Sequence, residues 1–249
     1  MSLIASHKTG RTYFVADLHL TDERPVATGR FFRFLQEDVA GADALYILGD
    51  LFEAWIGDDH DEQVAHETAR ALKLLTDAGT PVYFMHGNRD FMLAQRYAAQ
   101  SGMTLLADPV RIDLYGVPTL LMHGDTLCTD DTAYQAFRRR ARHPLTLSIL
   151  RRLPFALRRR LARQARTGSE TAKAAKPTAI MDVNADEVVR VLREHRVDRL
   201  IHGHTHRPAQ HLHAVGDHDC ERWVLPDWYA RWGYVVCDAA GCALKAEEL

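Results

Sequence analysis

The chain has 249 residues, 47% hydrophobic and 26% charged, with a formal net charge of −2. This suits a soluble globular protein able to bury one α/β domain with an insertion. The start is polar, without the apolar core of a signal peptide, and no apolar run approaches the ~20 residues that cross a bilayer, so the composition argues against a secreted or membrane-spanning protein.

Residues Arg11–Ala16 form a short β-rich run that ends in Asp17-Leu18-His19-Leu20. Strand alternation would put Asp17 and His19 on one side of the backbone. Thr28–Asp38 has helical spacing, with Phe31, Phe32, Phe34 and Leu35 on its apolar face. The next apolar run, Ala44–Leu48, ends in Gly49-Asp50. The Asp58, Asp59, His60, Asp61 cluster lacks a calcium-loop pattern and reads as a solvated helix start. Val64–Asp77 is helical and is closed by Gly79. Pro81–Met85 is a third strand, ending in His86-Gly87-Asn88-Arg89-Asp90, followed by a helix over Phe91–Gln100 that Gly102 stops. A fourth strand, Val117–Met122, ends in His123-Gly124-Asp125.

From Arg138 to Arg166 there are eleven arginines, no lysine and no acid, which leaves 20 basic residues against 33 acidic ones elsewhere, a balance of −13. Such asymmetry points to an anionic partner. Leu145, Leu147, Ile149, Leu150, Leu153, Phe155, Leu157 and Leu161 interleave with the arginines, and Pro144 and Pro154 divide the segment into short helices. This describes basic amphipathic helices, either a lid with a solvated basic face or a lid that binds something both anionic and apolar. Nucleic acid would satisfy the charge, but Phe155 is the lone aromatic between Arg138 and Arg166, so stacking is missing. Thr167–Lys176 is rich in small and polar residues and reads as a linker.

Val188–His195 is helical, and Asp198–Ile201 is a strand that runs into His202-Gly203-His204-Thr205-His206-Arg207-Pro208. Trp223–Leu225 and Tyr234–Cys237 are late strands expected to close a second sheet. The four cysteines, Cys128, Cys220, Cys237 and Cys242, show no paired spacing and read as reduced thiols of a cytosolic protein.

Strand followed by a polar, ligand-bearing loop thus occurs five times, interleaved with helices. That is an α/β layered fold, whose sites lie at strand carboxyl ends. The loops collect Asp17, His19, Asp50, Asn88, His123, His204 and His206. Oxygen and imidazole donors of this kind suit two divalent ions, and Mn²⁺, zinc and iron all fit. A carboxylate between two cations can bridge them.

The blocks D-x-H, G-D, G-N-R-D, H-G and G-H-x-H occur here in order between about residues 11 and 208. In these blocks the chain resembles the calcineurin-like metallophosphoesterase superfamily. The resemblance implies one domain over 1–249, two mixed β-sheets flanked by helices, with a helical lid inserted at about 126–180. It assigns one metal to Asp17, His19, Asp50 and His206, and the other to Asp50, Asn88, His123 and His204. His202 is not carried over as a ligand.

By the same resemblance Asp50, Asn88, Arg89 and His123 are the catalytic group. Many phosphoesterases of the superfamily carry His at the position of Arg89. Arginine clamps a phosphate oxygen but is a poor proton donor, so the chemistry should favour a leaving group that needs little protonation. A phosphate monoester, with a second pKa of about 6, is such a group, which favours pyrophosphate cleavage.

Gly49–Asp59, His123–Phe137, Ile180–Asn184 and the Ile201–Pro208 block are similar to the UDP-2,3-diacylglucosamine diphosphatase family of lipid A synthesis. Members cleave UDP-2,3-diacylglucosamine to UMP and 2,3-diacylglucosamine 1-phosphate with Mn²⁺. Matched by position, the family's substrate contacts fall on Asn88, Arg89, Asp131, Ser169, Lys173, Lys176 and His204, with Tyr134 and Arg166 lining the cleft. Acyl chains would lie among the apolar residues of the lid. The resemblance also implies peripheral attachment to the cytoplasmic face of the inner membrane, without nucleic acid or an obligate protein partner. Other readings are a dimetal phosphoesterase of soluble nucleotides or phosphodiesters, and a non-catalytic adaptor, against which the complete ligand set argues.

Overall fold

The computed structural model of the chain describes residues 10–174, 182–229 and 231–249, with the backbone alone over 166–174. The order is β1 (Thr12–Val15), α1 (Pro25–Glu37), β2 (Ala44–Ile47), α2 (Gln63–Asp77), β3 (Val82–Met85), α3 (Gln95–Ser101), β4 (Thr104–Leu106), β5 (Val110–Leu114) and β6 (Val117–Met122). There follow α4 (Thr132–Ala141), α5 (Pro144–Arg152), α6 (Phe155–Ala174), α7 (Ala185–His195), β7 (Arg199–His202), β8 (Ala209–Val215), β9 (His218–Val224), β10 (Arg231–Asp238) and β11 (Gly241–Glu248). Two mixed sheets result, in the orders β11-β10-β1-β2-β3-β4 and β5-β6-β7-β9-β8.

Strand alternation explains the layers. Phe14, Leu48 and Met85 of the first sheet meet Leu121, Ile201 and Trp223 of the second in one buried cluster. The residues between, Tyr13, Val15, Leu45 and Ile47, point the other way, onto Phe31, Phe34, Leu72 and Leu75 of α1 and α2. On the outer face of the second sheet, Leu120, Met122 and Leu200 pack on Val188, Val191 and Leu192 of α7. Central strands buried on both faces read as continuous apolar runs, which is why these were visible in the sequence.

Several expectations are corrected. β10 pairs antiparallel with β1 and so belongs to the first sheet, not the second. The strands β4, β5, β8 and β11 were not anticipated; β4, β5 and β8 end their sheets, β11 lies at the remaining edge, and their exposed faces dilute the apolar signal. Asp58 does not start a helix. Its carboxylate accepts from the backbone N–H of Ala94 (2.8 Å) and Tyr97 (3.0 Å), so α3 begins four residues later than its apolar pattern suggests and is capped from a distant loop. The stretch read as a linker continues α6 to Ala174. Cys237 and Cys242 are not free thiols: the β10–β11 register sets them opposite each other, with Cα atoms 4.0 Å apart, and they form a disulfide. Cys128 and Cys220 are free and buried.

The arginine run also divides. Arg138 and Arg142 donate to Asp125 at 2.7 and 3.2 Å, and Arg158 is buried. Counter-acids therefore exist, supplied by the body and remote in sequence. Arg158 donates to the Ile56 carbonyl at 2.6 Å, to the Leu153 carbonyl at 3.0 Å and to Asp59, pinning α6 to the loop after β2. Arg158→Ala strips these acceptors of their donor. An unsatisfied buried carbonyl costs roughly 1–3 kcal/mol, so a thermal melt of the variant is expected to show a midpoint about 2–12 °C lower.

Candidate metal centre

The loops leaving β1, β2, β3, β6 and β7 converge at the carboxyl ends of both sheets. Five of the residues they carry, Asp17, His19, Asp50, His204 and His206, have left-handed backbones, with φ between 49° and 70°. Non-glycine residues avoid that region, and Asp and His are among those that tolerate it. It turns Asp17 and His19 inward together, so their side chains meet through backbone reversal, not through the strand alternation expected from the sequence. Glycine accommodates the crowding: a Cβ at Gly87 would lie 2.1 Å from Asp50 Oδ1, and one at Gly203 2.4 Å from Asp17 Oδ2.

The distances define two adjacent groups. His19 Nε2 stands 4.0 Å from Asp17 Oδ1, and His206 Nε2 is 3.5 Å from the same oxygen. On the other side, Asn88 Oδ1 lies 3.1 Å from His123 Nε2 and 3.0 Å from His204 Nδ1. Asp50 Oδ2 stands between the groups, 3.9 Å from both His19 Nε2 and His123 Nε2. Its other oxygen accepts the Arg89 backbone N–H at 2.7 Å, which fixes the carboxylate plane.

Several ligands are held from behind. His123 donates Nδ1–H to the Leu48 carbonyl at 2.9 Å, which aims Nε2 at Asn88 and the centre. His19 turns Nδ1 toward Glu53, 3.5 Å away, and stacks at 4.7 Å on Tyr229, whose hydroxyl donates to Glu53 at 2.8 Å. Arg24 ties the Asp17–His19 loop to the chain after β9 through the carbonyls of His19, Trp228 and Tyr229.

The donors fit a cation. Asp17 Oδ1 and both ring nitrogens of His19 are buried without hydrogen-bond partners, an arrangement that neutral packing leaves costly. Burial, reinforced by Asp90 and Asp17 against the pull of His123, raises the Asp50 carboxyl above its ordinary range. Burial would also raise Asp17, but the imidazoles of His206, His123 and His19 hold it low. For His123 burial favours the neutral ring, yet Asp50, Asp125 and Asp17 outweigh it and raise the group. Buried carboxylates competing for imidazole protons are what a divalent ion displaces, and carboxylate, amide and imidazole donors suit a mid-row divalent metal.

The family model for calcineurin-like phosphoesterases matches residues 10–208. This chain belongs to that family. A protein named UDP-2,3-diacylglucosamine hydrolase from Enterobacter sp. (strain 638) is 49% identical over 233 residues, covering 94% of this chain and 97% of its own. The protein of that name from Salmonella paratyphi B is 52% identical over 218 residues, covering 88% and 91%. An archaeal phosphodiesterase of known structure aligns with a TM-score of 0.46 at 10% identity, covering 96% of this chain and 99% of that one.

All seven residues picked from the sequence as ligands lie at this calcineurin-like centre. Tyr134 is close by, stacked on His204 at 6.1 Å, and its hydroxyl donates to Asp125 at 2.6 Å. Asp131 caps α4 by accepting the Tyr134 N–H at 3.0 Å. Arg166, Ser169 and Lys173 lie on α6 within the backbone-only stretch, and Lys176 lies outside the described residues. His202 is buried beside the Gly203 carbonyl and Arg222, and burial with that arginine lowers it to about 3.

Two buried carboxylates were given no role by the sequence. Asp90 accepts from Leu51 N at 2.7 Å and Gly87 N at 2.8 Å, binding the Asp50 and Asn88 loops together. Asp125 joins the same centre to α4. Both close a motif block, G-N-R-D and H-G-D, and that adjacency was the available signal. Metal removal should unfold the centre first. At metal concentrations ~100-fold above the dissociation constant, binding contributes about 2.7 kcal/mol, so chelation is expected to lower the melting midpoint by about 5–10 °C, reversed by added metal.

Proposed function

We propose that the chain hydrolyses the pyrophosphate bond of UDP-2,3-diacylglucosamine, giving UMP and 2,3-diacylglucosamine 1-phosphate, at a centre holding two Mn²⁺ ions. The observation that carries the two-ion reading is Asp50 Oδ2 standing 3.9 Å from His19 Nε2 and from His123 Nε2, the position of a shared carboxylate. The substrate follows from relatives that this chain matches over more than nine-tenths of their length.

Asp17, His19, Asp50 and His206 would hold one ion, and Asp50, Asn88, His123 and His204 the other. Two such ions supply a lowered water pKa and neutralisation of phosphoryl charge. Arg89 lies on the loop whose backbone already grips Asp50, so its guanidinium is tethered beside the ligands, where it can clamp a phosphate oxygen in bidentate fashion. Asp90 and Asp125 keep the Asn88 and His123 loops in register with it. Among the described residues of the centre each imidazole is already engaged, His123 and His204 with Asn88 and His19 and His206 with Asp17, which leaves none of these four to protonate a leaving alkoxide. The leaving group must therefore depart as a stable anion, as a phosphate monoester does.

Asp131, Tyr134, Arg166, Ser169, Lys173 and Lys176 are proposed to receive the substrate. The decisive experiment is turnover of UDP-2,3-diacylglucosamine with Mn²⁺ in ¹⁸O-water. Label in UMP is expected, marking attack at the α-phosphorus; label in the lipid phosphate would refute that direction. Asp50→Asn keeps a side chain that tolerates a left-handed backbone while removing the charge, and is expected to lose roughly 10³-fold in kcat.

The helical insertion supports a membrane-facing lid. Leu145 and Ile149 on α5 are 64% and 51% exposed, and Phe137, Leu157 and Leu161 are exposed beside them in sequence order. Arg139, Arg140, Arg151, Arg152, Arg159 and Arg160 face solvent on the same helices. Apolar and cationic groups presented together suit an anionic bilayer surface and a diacylated substrate. Among the described residues no helix is long and apolar enough to cross a membrane. Leu145→Ser with Ile149→Ser removes apolar surface that contributes roughly 1.5–3 kcal/mol per side chain when buried, so binding to anionic vesicles should weaken at least about tenfold in sedimentation, with hydrolysis of a water-soluble nitrophenyl phosphodiester, whose phenolate leaves as a stable anion, unaltered.

A further inference from the structure

A second cluster of metal-ligating side chains lies at the opposite end of the second sheet, before β7 and at the start of β9. Ligand atoms of Asp198, His218 and Cys220 all lie within 4.8 Å of one another. His218 Nε2 is 3.2 Å from Asp198 Oδ1 and 3.5 Å from Cys220 Sγ. Two elements of local structure bring this about. His218 and Cys220 stand two apart on β9 and so project from one face. Asp198 is held beside them by its own carbonyl, which accepts the Glu221 N–H at 2.9 Å, one step before the parallel β7–β9 ladder begins.

The chemistry of the set is specific. Sulfur, imidazole nitrogen and carboxylate oxygen together match a borderline divalent ion of the zinc class and do not suit magnesium or calcium, which take oxygen ligands. His218 Nδ1 faces Asp217 Oδ1 at 3.3 Å, so a carboxylate behind the ring can hold the Nδ1–H and aim Nε2 at the cluster, the usual support of a metal-bound histidine. Asp198 and His218 are each about half exposed, which leaves room for water to complete a tetrahedral shell. Cys220 is buried, with its thiol hydrogen directed to the Val197 carbonyl at 3.6 Å.

We propose that Asp198, His218 and Cys220 form a mononuclear site for a zinc-class divalent ion, separate from the phosphoesterase centre, that clamps the start of β7 to the β8–β9 hairpin. Binding forms a metal–sulfur bond and releases the Cys220 thiol proton to solvent. Burial and the neighbouring Asp198 and Asp219 raise that thiol, so the thiolate forms only as the ion enters.

Cobalt separates this site from the catalytic one, whose ligands include no sulfur. Titrating the Mn²⁺-loaded full chain with Co²⁺ is expected to raise a near-ultraviolet thiolate-to-cobalt charge-transfer band that saturates at one ion per chain. Cys220→Ser and His218→Ala should each abolish the band with phosphoesterase turnover unchanged, and Asp217→Asn should weaken Co²⁺ binding about tenfold. His218 is at the surface, so its variant remains informative if Cys220→Ser fails to fold. Absence of the band in the unaltered protein, or its survival in His218→Ala, would reduce the cluster to surface ion pairs and overturn the proposal.

Discussion

The structure depends on holding acidic groups where water cannot solvate them. Asp17, Asp50 and Asp90 are all at most 2% exposed. The ligand oxygens of Asp17 and Asp50 come within 4.8 Å of each other, where two ionised carboxylates repel by roughly 3 kcal/mol at an effective dielectric constant of ~20. Asp90 escapes the penalty through two backbone N–H donors. Asp17 and Asp50 escape only in part, and the remainder falls on positive charge from outside the chain. Strained backbone adds to the cost, since left-handed non-glycine residues lie roughly 1–2 kcal/mol above their relaxed state. Strain and unpaired charge concentrated at one point mark a site whose ligand completes the fold.

That point is also where the two sheets are joined. The first sheet contributes Asp17, His19, Asp50 and Asn88, and the second contributes His123, His204 and His206. Hydrogen bonds cross between them beside the ligands: His123 Nδ1 to the Leu48 carbonyl, His204 N to Asp17 Oδ2 at 2.7 Å, and Trp228 N to the Asp17 carbonyl at 3.0 Å. Neither sheet alone builds a complete ligand set, so packing of the apolar layer between them and assembly of the centre are one event.

The sequence carried the part of this that is periodic or local. Central strands buried on both faces are continuous apolar runs, and each ended in a ligand, so the five ligand loops and the α/β layering could be read directly. What escaped was set by long-range pairing. The φ values of Asp17 and His19 come from hydrogen bonds to Gly49 and Asp50 on the neighbouring loop, which no local pattern encodes. Asp58 looked solvated because its partners, Ala94 and Tyr97, lie 36 and 39 residues away. The Cys237–Cys242 bridge needed the hairpin register, and edge strands such as β8 lacked an apolar face to announce them.

The same limit explains the arginine run, which composition treats as one object and the fold splits in two. Arg138, Arg142 and Arg158 turn inward and the exposed arginines turn outward, so one residue type serves both as fastener and as surface charge. The fasteners have consequences for the centre. Arg142 donates to the Gly87 carbonyl at 2.9 Å as well as to Asp125, and Gly87 immediately precedes Asn88. Displacing α4 would therefore pull on the loop of one ligand and on the residue two past another, His123. At its far side the insertion is fixed by Arg158 to Ile56 and Asp59, and Leu147 and Leu150 of α5 pack on the core that β1 and β2 form with α1 and α2. An insertion anchored at both flanks, one of them through the ligand loops themselves, cannot swing away as a rigid body without disturbing the ligands. The buried arginines therefore hold the insertion to the ligand loops and to the loop after β2, and its exposed apolar side chains lie outside those fastenings.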